Sequence, residues 1–279
     1  MIGVYDSGFG GLTVLRRLRQ TLPERDFLYL GDTGRAPYGG RDIHTLLDFA
    51  EQCTERLFEE GCRLVVVACN TVSCVALRHL QRRYAGVGSP RRILGVSIPA
   101  AEIAVASSAG HIGILATQRT VASGTFAVEI AKLGSHRVTQ RAAPLLALLV
   151  EEGWESTEIA RLTVARYLEG LEGIDTLLLG CTHYPLLLPA FAAATSARIL
   201  DPAPYLAERL VAWLERHPGF DAPGSGALRV LCTGDPASFQ AHAPRFLGEP
   251  LPEVGHVAEE SGRLAHRATM EIVTGQVLR

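Results

Sequence analysis

Two cysteines occupy matching places in two stretches of the chain that resemble each other. Cys69 follows the apolar run Val-Val-Val-Ala, and Cys181 follows the run Leu-Leu-Leu-Gly, 112 residues later. A second pair of similar runs, which start at Ile2 and Ile112, repeats at the nearly equal offset of 110 residues. Two agreeing offsets indicate an internal duplication, and a duplicated pair of thiols predicts chemistry on both faces of one small substrate.

The residues beside each cysteine favour function, although a lone cysteine after an apolar run is more often a buried core residue. Asn70 and Thr71 are typical N-cap residues, so Cys69 should lie at a helix N-terminus, where free N–H groups lower the pKa of a thiol. His183 follows Cys181 by two positions and could relay protons to a thiol or to a substrate. The other four cysteines are interpreted as structural, namely Cys53, Cys62, Cys74 and Cys232.

Polar and glycine-rich segments follow other predicted strands. Asp6 ends the first strand and could accept a proton or bind an ammonium group, while Ser7 and the next helix N-terminus could bind a carboxylate. The loop Pro37-Tyr38-Gly39 would bring backbone N–H groups close to a carboxylate, and Thr117 aligns with Ser7 through the duplication. The glycines after Asp6 fit a dinucleotide-binding fingerprint poorly, because threonine occupies position 13.

Composition excludes several classes of protein. The 279 residues are 47% hydrophobic and 20% charged with a net charge of −2, which favours neither nucleic acid nor an anionic membrane as a partner. No apolar run is long enough for a bilayer span, and the chain starts directly with a strand, so we expect a cytoplasmic protein with reduced thiols. Cysteine spacing fits no zinc site, and Lys132, the single lysine, lies in a surface-like helix, which argues against a pyridoxal Schiff base.

Short apolar runs alternate with longer segments of helical periodicity along the whole chain. We predict strands at 2–6, 27–31, 64–69, 92–97, 111–116, 174–180, 197–200 and 228–232, and helices at 11–21, 43–60, 72–84, 99–108, 122–133, 157–171, 203–216 and 236–245. This alternation predicts an α/β fold of two similar doubly wound lobes with mostly parallel sheets, with the active site in the cleft between them. We expect residues 1–92 and 206–279 in the first lobe and 93–205 in the second.

Four motifs resemble the signature motifs of the glutamate racemases, which are cofactor-independent amino-acid racemases of bacterial cell-wall synthesis. They are Asp6-Ser-Gly-Phe-Gly-Gly-Leu-Thr-Val, Pro37-Tyr-Gly, Ala68-Cys-Asn-Thr and Gly180-Cys-Thr-His-Tyr-Pro-Leu. The similarity covers nearly the whole chain, with the motifs in order and suitably spaced. It implies two α/β lobes with the active site between them, glutamate as the substrate, no cofactor, no metal, and a homodimer.

The resemblance also implies roles for the residues at matching positions. Cys69 and Cys181 would be the two acid–base thiols, and Asp6, His183 and Glu151 would assist them, although the sequence alone favours a solvated helix end for Glu151. The residues that would bind substrate are Asp6, Ser7, Pro37, Tyr38, Gly39, Asn70, Thr71, Thr117, Thr182 and His183.

Racemisation removes the α-proton from one face of the substrate and returns a proton to the other face. Two opposed thiols meet this demand, because one acts as thiolate and the other as thiol, and the roles exchange with substrate handedness. Three alternatives stay open at this point. They are a racemase for aspartate or another small amino acid, a regulatory module that only binds an amino acid, and a thiol hydrolase that uses Cys69 with His183.

Overall fold

The computed structural model describes residues 1–265 and consists of strands and helices in close alternation. The strands are β1 (Ile2–Asp6), β2 (Phe27–Gly31), β3 (Leu64–Val67), β4 (Arg92–Gly95), β5 (His111–Ala116), β6 (Arg137–Ala142), β7 (Thr176–Gly180), β8 (Arg198–Leu200), β9 (Leu228–Cys232), β10 (Val254–His256), β11 (Glu259–Glu260) and β12 (Arg263–Leu264).

The α-helices are α1 (Gly11–Thr21), α2 (Ile43–Glu59), α3 (Asn70–Val75), α4 (Leu77–Tyr84), α5 (Ser97–Ser107), α6 (Gln118–Ser123), α7 (Thr125–Leu133), α8 (Pro144–Glu151), α9 (Glu158–Leu168), α10 (Leu188–Ala194), α11 (Ala203–Arg216), α12 (Pro236–His242) and α13 (Pro244–Leu247). Short 3₁₀ turns span Thr33–Arg35, Tyr184–Leu187 and Pro218–Phe220.

Two parallel sheets organise these elements, and their strand orders reveal the duplication. The larger sheet has the order β10-β9-β2-β1-β3-β4, and the smaller one has the order β6-β5-β7-β8. All strand pairs within these two sheets are parallel, whereas β11 and β12 form a short antiparallel pair. The succession β2-β1-β3-β4 has the same pattern as β6-β5-β7-β8, so each half of the chain builds one copy of the same unit. The predicted α/β fold of two mostly parallel lobes is therefore confirmed.

The strand pairing of the larger sheet bears on the predicted boundary between the two lobes. Strand β4 pairs with β3 and belongs to the larger sheet, so a boundary at residue 92 would fall at its first residue. Strands β9 and β10 extend the larger sheet beyond β2, which supports our proposal that the chain beyond residue 205 returns to the first lobe. We propose that the first crossing between lobes lies between Gly95 and Ser97. Residues 266–279 of the predicted first lobe lie outside the described residues.

Several elements differ from the sequence-based prediction for physical reasons. Strand β6 was not predicted, because it is an edge strand of half-exposed polar residues and contains no apolar run. Helix α8 and strand β10 were also absent from the prediction. The single predicted helix at 122–133 is preceded by α6 and begins only after Gly124, whose φ of +66° ends one helix and allows the next to start in a new direction.

The two sheets share one apolar core. Side chains alternate along a strand, so Val4 of β1 points to one face and Tyr5 to the other. On the Val4 face, the buried cluster includes Leu15 of α1 and continues to Leu115 of β5 and Leu179 of β7. Because this cluster contains residues from both sheets, apolar burial holds the two lobes together and fixes how their strand ends face each other. Within residues 1–265, no helix combines the length and apolar character that crossing a membrane requires.

Replacement of Leu115 by alanine should destabilise the protein strongly, because this leucine is fully buried in the shared core. We expect a loss of about 2–5 kcal/mol in the free energy of unfolding, measured by urea denaturation. Leu162→Ala is the matched control, since Leu162 is 55% exposed on α9 and should change stability by about 0.5 kcal/mol or less. Equal effects of the two substitutions would contradict the shared core.

Candidate active site

The predicted site residues lie at the carboxyl ends of the central strands of the two sheets. Cys69 follows β3 of the larger sheet and Cys181 follows β7 of the smaller one, and both line a cavity of about 150 Å³ between the sheets. The other lining residues are Ser7, Gly8, Ala36, Pro37, Tyr38, Gly39, Gly40, Asn70, Thr71, Thr117, Pro144, Ala147, Leu148, Glu151, Thr182 and His183. Thus two thiols from opposite halves of the duplication face one small cavity.

Cys69 lies at the N-terminus of α3, as the sequence predicts, but its pKa moves opposite to the expectation. Its Sγ donates a hydrogen bond to Oγ of Ser7 over 3.5 Å. Burial, followed by the nearby carboxyl of Asp6, raises the pKa of the Cys69 thiol to about 12, and the helix N–H of Val72 does not compensate. Desolvation penalises the thiolate more than the helix terminus stabilises it. Cys69 is therefore a thiol at neutral pH.

Cys181 has a different set of neighbours, which form a chain of proton-bearing groups. Nδ1 of His183 lies 3.7 Å from Sγ of Cys181, and Nε2 of the same ring lies 2.9 Å from Oε1 of Glu151. Burial alone would lower the pKa of His183, but the contacts with Cys181 and Glu151 outweigh it and raise the pKa to about 10. A protonated imidazole thus lies between a sulfur and a carboxylate. Glu151 is the last residue of α8, and its half-buried carboxylate lines the cavity.

Asp6 is fully buried behind the cavity and does not line it. Its Oδ1 accepts a hydrogen bond from the backbone N–H of Gly8 over 2.9 Å, and its Oδ2 accepts one from Oγ1 of Thr182 over 3.4 Å. Burial raises the pKa of Asp6, against the opposing charge of His183. Asp6 therefore contacts Thr182 from behind the cavity wall, whereas the sequence analysis expects it to contact the substrate directly, and its assisting role stays a prediction.

Hydroxyl groups from the two lobes meet at one side of the cavity. Oγ1 of Thr71 and Oγ1 of Thr117 are 2.9 Å apart, and Thr120 completes this group at 2.9 Å from Thr117. Asn70 is 2% exposed, and among the described residues its Oδ1 has no hydrogen-bond partner. A buried amide oxygen without a partner carries a free-energy cost, and a donor on a bound molecule would remove it. The cavity wall thus presents both hydroxyl groups and an available acceptor.

The Tyr38 hydroxyl points away from the cavity into a buried polar network. It donates to Asp32 and accepts from the hydroxyl of Tyr5, and Asp32 forms an ion pair of 2.8 Å with Arg35. This network anchors the loop that contains Pro37 and Gly39. Tyr38 therefore contributes its ring and its backbone to the cavity, whereas sequence reasoning left the role of its hydroxyl unspecified.

Three apolar lining residues were missed by the sequence analysis: Pro144, Ala147 and Leu148, all on α8. The signal was present in the sequence, because a proline opens the segment Pro144-Leu-Leu-Ala-Leu-Leu-Val and apolar residues continue for two turns. Among residues 1–265, no group of three or more His, Cys, Asp or Glu side chains could hold a metal ion. Lys132 pairs with Glu129 on the surface and does not line the cavity.

Solved structures with a similar fold include glutamate racemases. The chain superposes on the glutamate racemase of Francisella tularensis in complex with D-glutamate with a TM-score of 0.85 and 28% identity, covering 92% of this chain and 96% of that one. The glutamate racemase of Thermus thermophilus in complex with beta-chloro-D-alanine gives a TM-score of 0.81 and 39% identity, with the same coverage of 92% and 96%.

Sequence comparison agrees with this class. The glutamate racemase of Persephonella marina is 37% identical over 254 residues, which are 90% of this chain and 94% of the relative. The model of the Asp/Glu/Hydantoin racemase family matches residues 11–210. The chain belongs to the Asp/Glu/Hydantoin racemase family, and the resemblance found in its motifs is confirmed.

The ionisation of His183 tests the geometry of the site without reference to any reaction. We expect its imidazole to stay protonated up to a pH of about 10, measured by titration of the ring nitrogen signals in NMR spectra. In Glu151→Gln the charged partner at 2.9 Å is lost, so the pKa of His183 should fall. Glu152→Gln, at the neighbouring exposed position, should leave the titration unchanged. An unchanged pKa in both variants would contradict the His183–Glu151 contact.

Proposed function

We propose that this protein interconverts L- and D-glutamate by transfer of the α-proton between two thiols, without a cofactor. The observation that carries this proposal is the placement of Cys69 and Cys181 on one cavity from the two halves of the duplication. Membership in the racemase family and about 37% identity to a glutamate racemase over most of the chain support glutamate as the substrate. A regulatory binding module would not need two opposed acid–base groups.

We propose different starting states for the two thiols because their surroundings differ. In one direction, Cys181 as thiolate removes the α-proton from one face, and the thiol of Cys69 delivers its proton to the other face. The protonated ring of His183 is the counter-ion for a thiolate at Cys181, and Glu151 holds that ring in place. For the other enantiomer the roles exchange. The substrate ammonium group then supplies the positive charge that the protein itself does not place beside Cys69.

The remaining cavity groups bind the substrate and stabilise the charge that develops at Cα. We propose that Asn70, Thr71, Thr117 and Thr182 bind the α-amino and α-carboxylate groups, and that Ser7 and the backbone N–H groups of Tyr38 and Gly39 hold the side-chain carboxylate, with Pro37 packed beside it. A cavity of about 150 Å³ suits a small amino acid. Its buried walls strengthen each electrostatic interaction, because water is excluded from the carbanion-like transition state.

The resemblance also supports proposals about the setting of this activity. We propose that the protein supplies D-glutamate for peptidoglycan synthesis in the cytoplasm, where its cysteines stay reduced. All six cysteines lie within the described residues and are free thiols, as acid–base chemistry at sulfur requires. We further propose that the protein works as a homodimer.

Incubation with L-glutamate, and separately with D-glutamate, in D₂O tests the reaction. We expect loss of optical rotation with incorporation of deuterium at Cα from both enantiomers. Cys69→Ala and Cys181→Ala should each reduce racemisation by about 10²- to 10⁴-fold, because each removes one acid–base group. Cys74→Ala is the matched control, since Cys74 lies in the same helix as Asn70 but outside the cavity.

Two results would overturn parts of the proposal, the second of them from a parallel incubation with aspartate. Full activity after loss of either Cys69 or Cys181 would exclude two-thiol transfer. Turnover of aspartate in place of glutamate would change the substrate while leaving the mechanism intact.

Gly10, which packs against Thr182 and His183, and Gly40, which lines the cavity, provide a sharper test of the geometry beside Cys181. A Cβ at Gly10 would lie 2.3 Å from Oγ1 of Thr182 and 2.6 Å from Nδ1 of His183, so Gly10→Ala must displace both side chains. We expect kcat/KM for glutamate to fall by about 10²-fold, as small displacements of catalytic groups do. A Cβ at Gly40 meets nothing within 4 Å, so Gly40→Ala should keep full activity. Similar rates for both variants would contradict the assigned positions.

A further inference from the structure

The short helix α13 contacts the end of α8 through the side chain of Arg245. Nη2 of Arg245 donates hydrogen bonds to the carbonyl oxygen atoms of Val150 over 2.7 Å and of Glu151 over 3.1 Å. Nη1 of the same guanidinium lies 3.7 Å from Oε2 of Glu155. The last carbonyl groups of a helix lack partners within the helix and carry negative partial charge, so an arginine there stabilises the helix end. Arg245 therefore holds the turn that bears Glu151.

The backbone after α8 leaves room for this arginine. Gly153 has a φ of +76°, and a Cβ built on it would lie 2.5 Å from Nη1 of Arg245. A side chain at position 153 would displace the guanidinium, so the loop after α8 accommodates Arg245 through a glycine in a conformation that glycine adopts readily.

Phe246, the next residue along the chain, contacts His183, the hydrogen-bond partner of Glu151. The ring of Phe246 meets the imidazole of His183 edge to face, with centroids 5.7 Å apart and an interplanar angle of 82°. Phe246 is itself stacked on Phe9 at 5.7 Å, which fixes its position in the core. Arg245 thus binds the end of the helix that bears Glu151, and Phe246 packs against His183. The dipeptide Arg245-Phe246 therefore orients both side chains of the 2.9 Å Glu151–His183 contact.

We propose that Arg245 is a positioning residue for the Cys181 half of the reaction. This inference rests on the proposed function and deepens it. Arg245 does not line the cavity and acts through Glu151, which orients His183 beside Cys181. Ser7 and Asp6 are the neighbours of Cys69, whereas the hydrogen bonds and the ion pair of Arg245 within residues 1–265 go to Val150, Glu151 and Glu155. Loss of Arg245 should therefore slow proton transfer at one thiol and spare the other.

Slower proton transfer at one thiol changes the isotope effects in a way that a general loss of active protein does not. The equilibrium constant between two enantiomers in water is one, so kcat/KM must fall equally for L- and D-glutamate. The α-deuterium isotope effect is free of this constraint. When transfer at Cys181 becomes slower, the isotope effect rises for the enantiomer whose proton Cys181 removes, because breakage of that bond limits the rate. The isotope effect falls for the other enantiomer, because the slow step in that direction becomes the return of a proton from Cys181.

The test compares Arg245→Met with the full-length wild type on α-deuterated and ordinary L- and D-glutamate. We expect kcat/KM to fall by on the order of ten- to hundred-fold, with isotope effects that change in opposite directions for the two enantiomers. Arg19→Met is the matched control, because Arg19 also donates to a backbone carbonyl, that of Gly226, and pairs with Glu249, but lies outside the cavity. That control should leave both isotope effects unchanged. Arg245→Lys, which keeps the charge, should give smaller changes in the same directions.

Failure of this inference and failure of the proposed function give different results. If wild-type protein racemises glutamate but Arg245→Met and Arg245→Lys change both isotope effects alike or not at all, the positioning role is overturned. If the wild type does not racemise glutamate, the proposed function fails, and NMR titration of His183 decides the positioning role by itself. A lower pKa of His183 in Arg245→Met, absent in Arg19→Met, would support it, and an unchanged pKa would overturn it.

Discussion

The packing of the two lobes on one apolar core is the constraint on which the rest of the structure depends. Cys69 and Cys181 follow strands of different sheets. The distance between the two thiols therefore depends on how the sheets pack against each other, and local structure does not set it. The shared buried cluster supplies the attraction, and polar contacts select the alignment. Oγ1 of Thr13 donates to the carbonyl oxygen of Thr182 over 3.1 Å, and Thr71 meets Thr117 at 2.9 Å. These contacts bring the strand ends of the two sheets together around one cavity.

The duplication provides two similar backbones but unequal electrostatic surroundings. At the end of β1 the first lobe has Asp6, and the equivalent position at the end of β5 is Ala116. Two residues after the cysteine, the second lobe has His183 where the first lobe has Thr71. Each half thus keeps a thiol and gains one ionisable group that the other lacks. The raised pKa of the Cys69 thiol keeps its proton in place at neutral pH, whereas Cys181 lies beside an imidazole whose raised pKa keeps it protonated.

Elements with a strong internal pattern were predictable, and elements that depend on their neighbours were not. The bounds of β1, β2, β5, α1 and α11 agree with the sequence pattern, because each has an apolar run or an apolar stripe of its own. Strand β6 forms only because β5 offers an edge to which a polar segment can pair. Helix α8 was overlooked despite its opening proline, and with it the apolar wall of the cavity and the position of Glu151.

The amino-acid sequence by itself determined the α/β class, the duplication and the two thiols, since these follow from local periodicity and from motifs that are contiguous in the chain. Only the tertiary structure decided the ionisation of the site, because a pKa depends on burial and on charges that distant segments contribute. The helix N-terminus predicted a lowered pKa for Cys69, and desolvation reversed it. The contacts of Arg245 and Phe246 with the Glu151–His183 pair join residues about 60 to 95 positions apart, which no local pattern encodes.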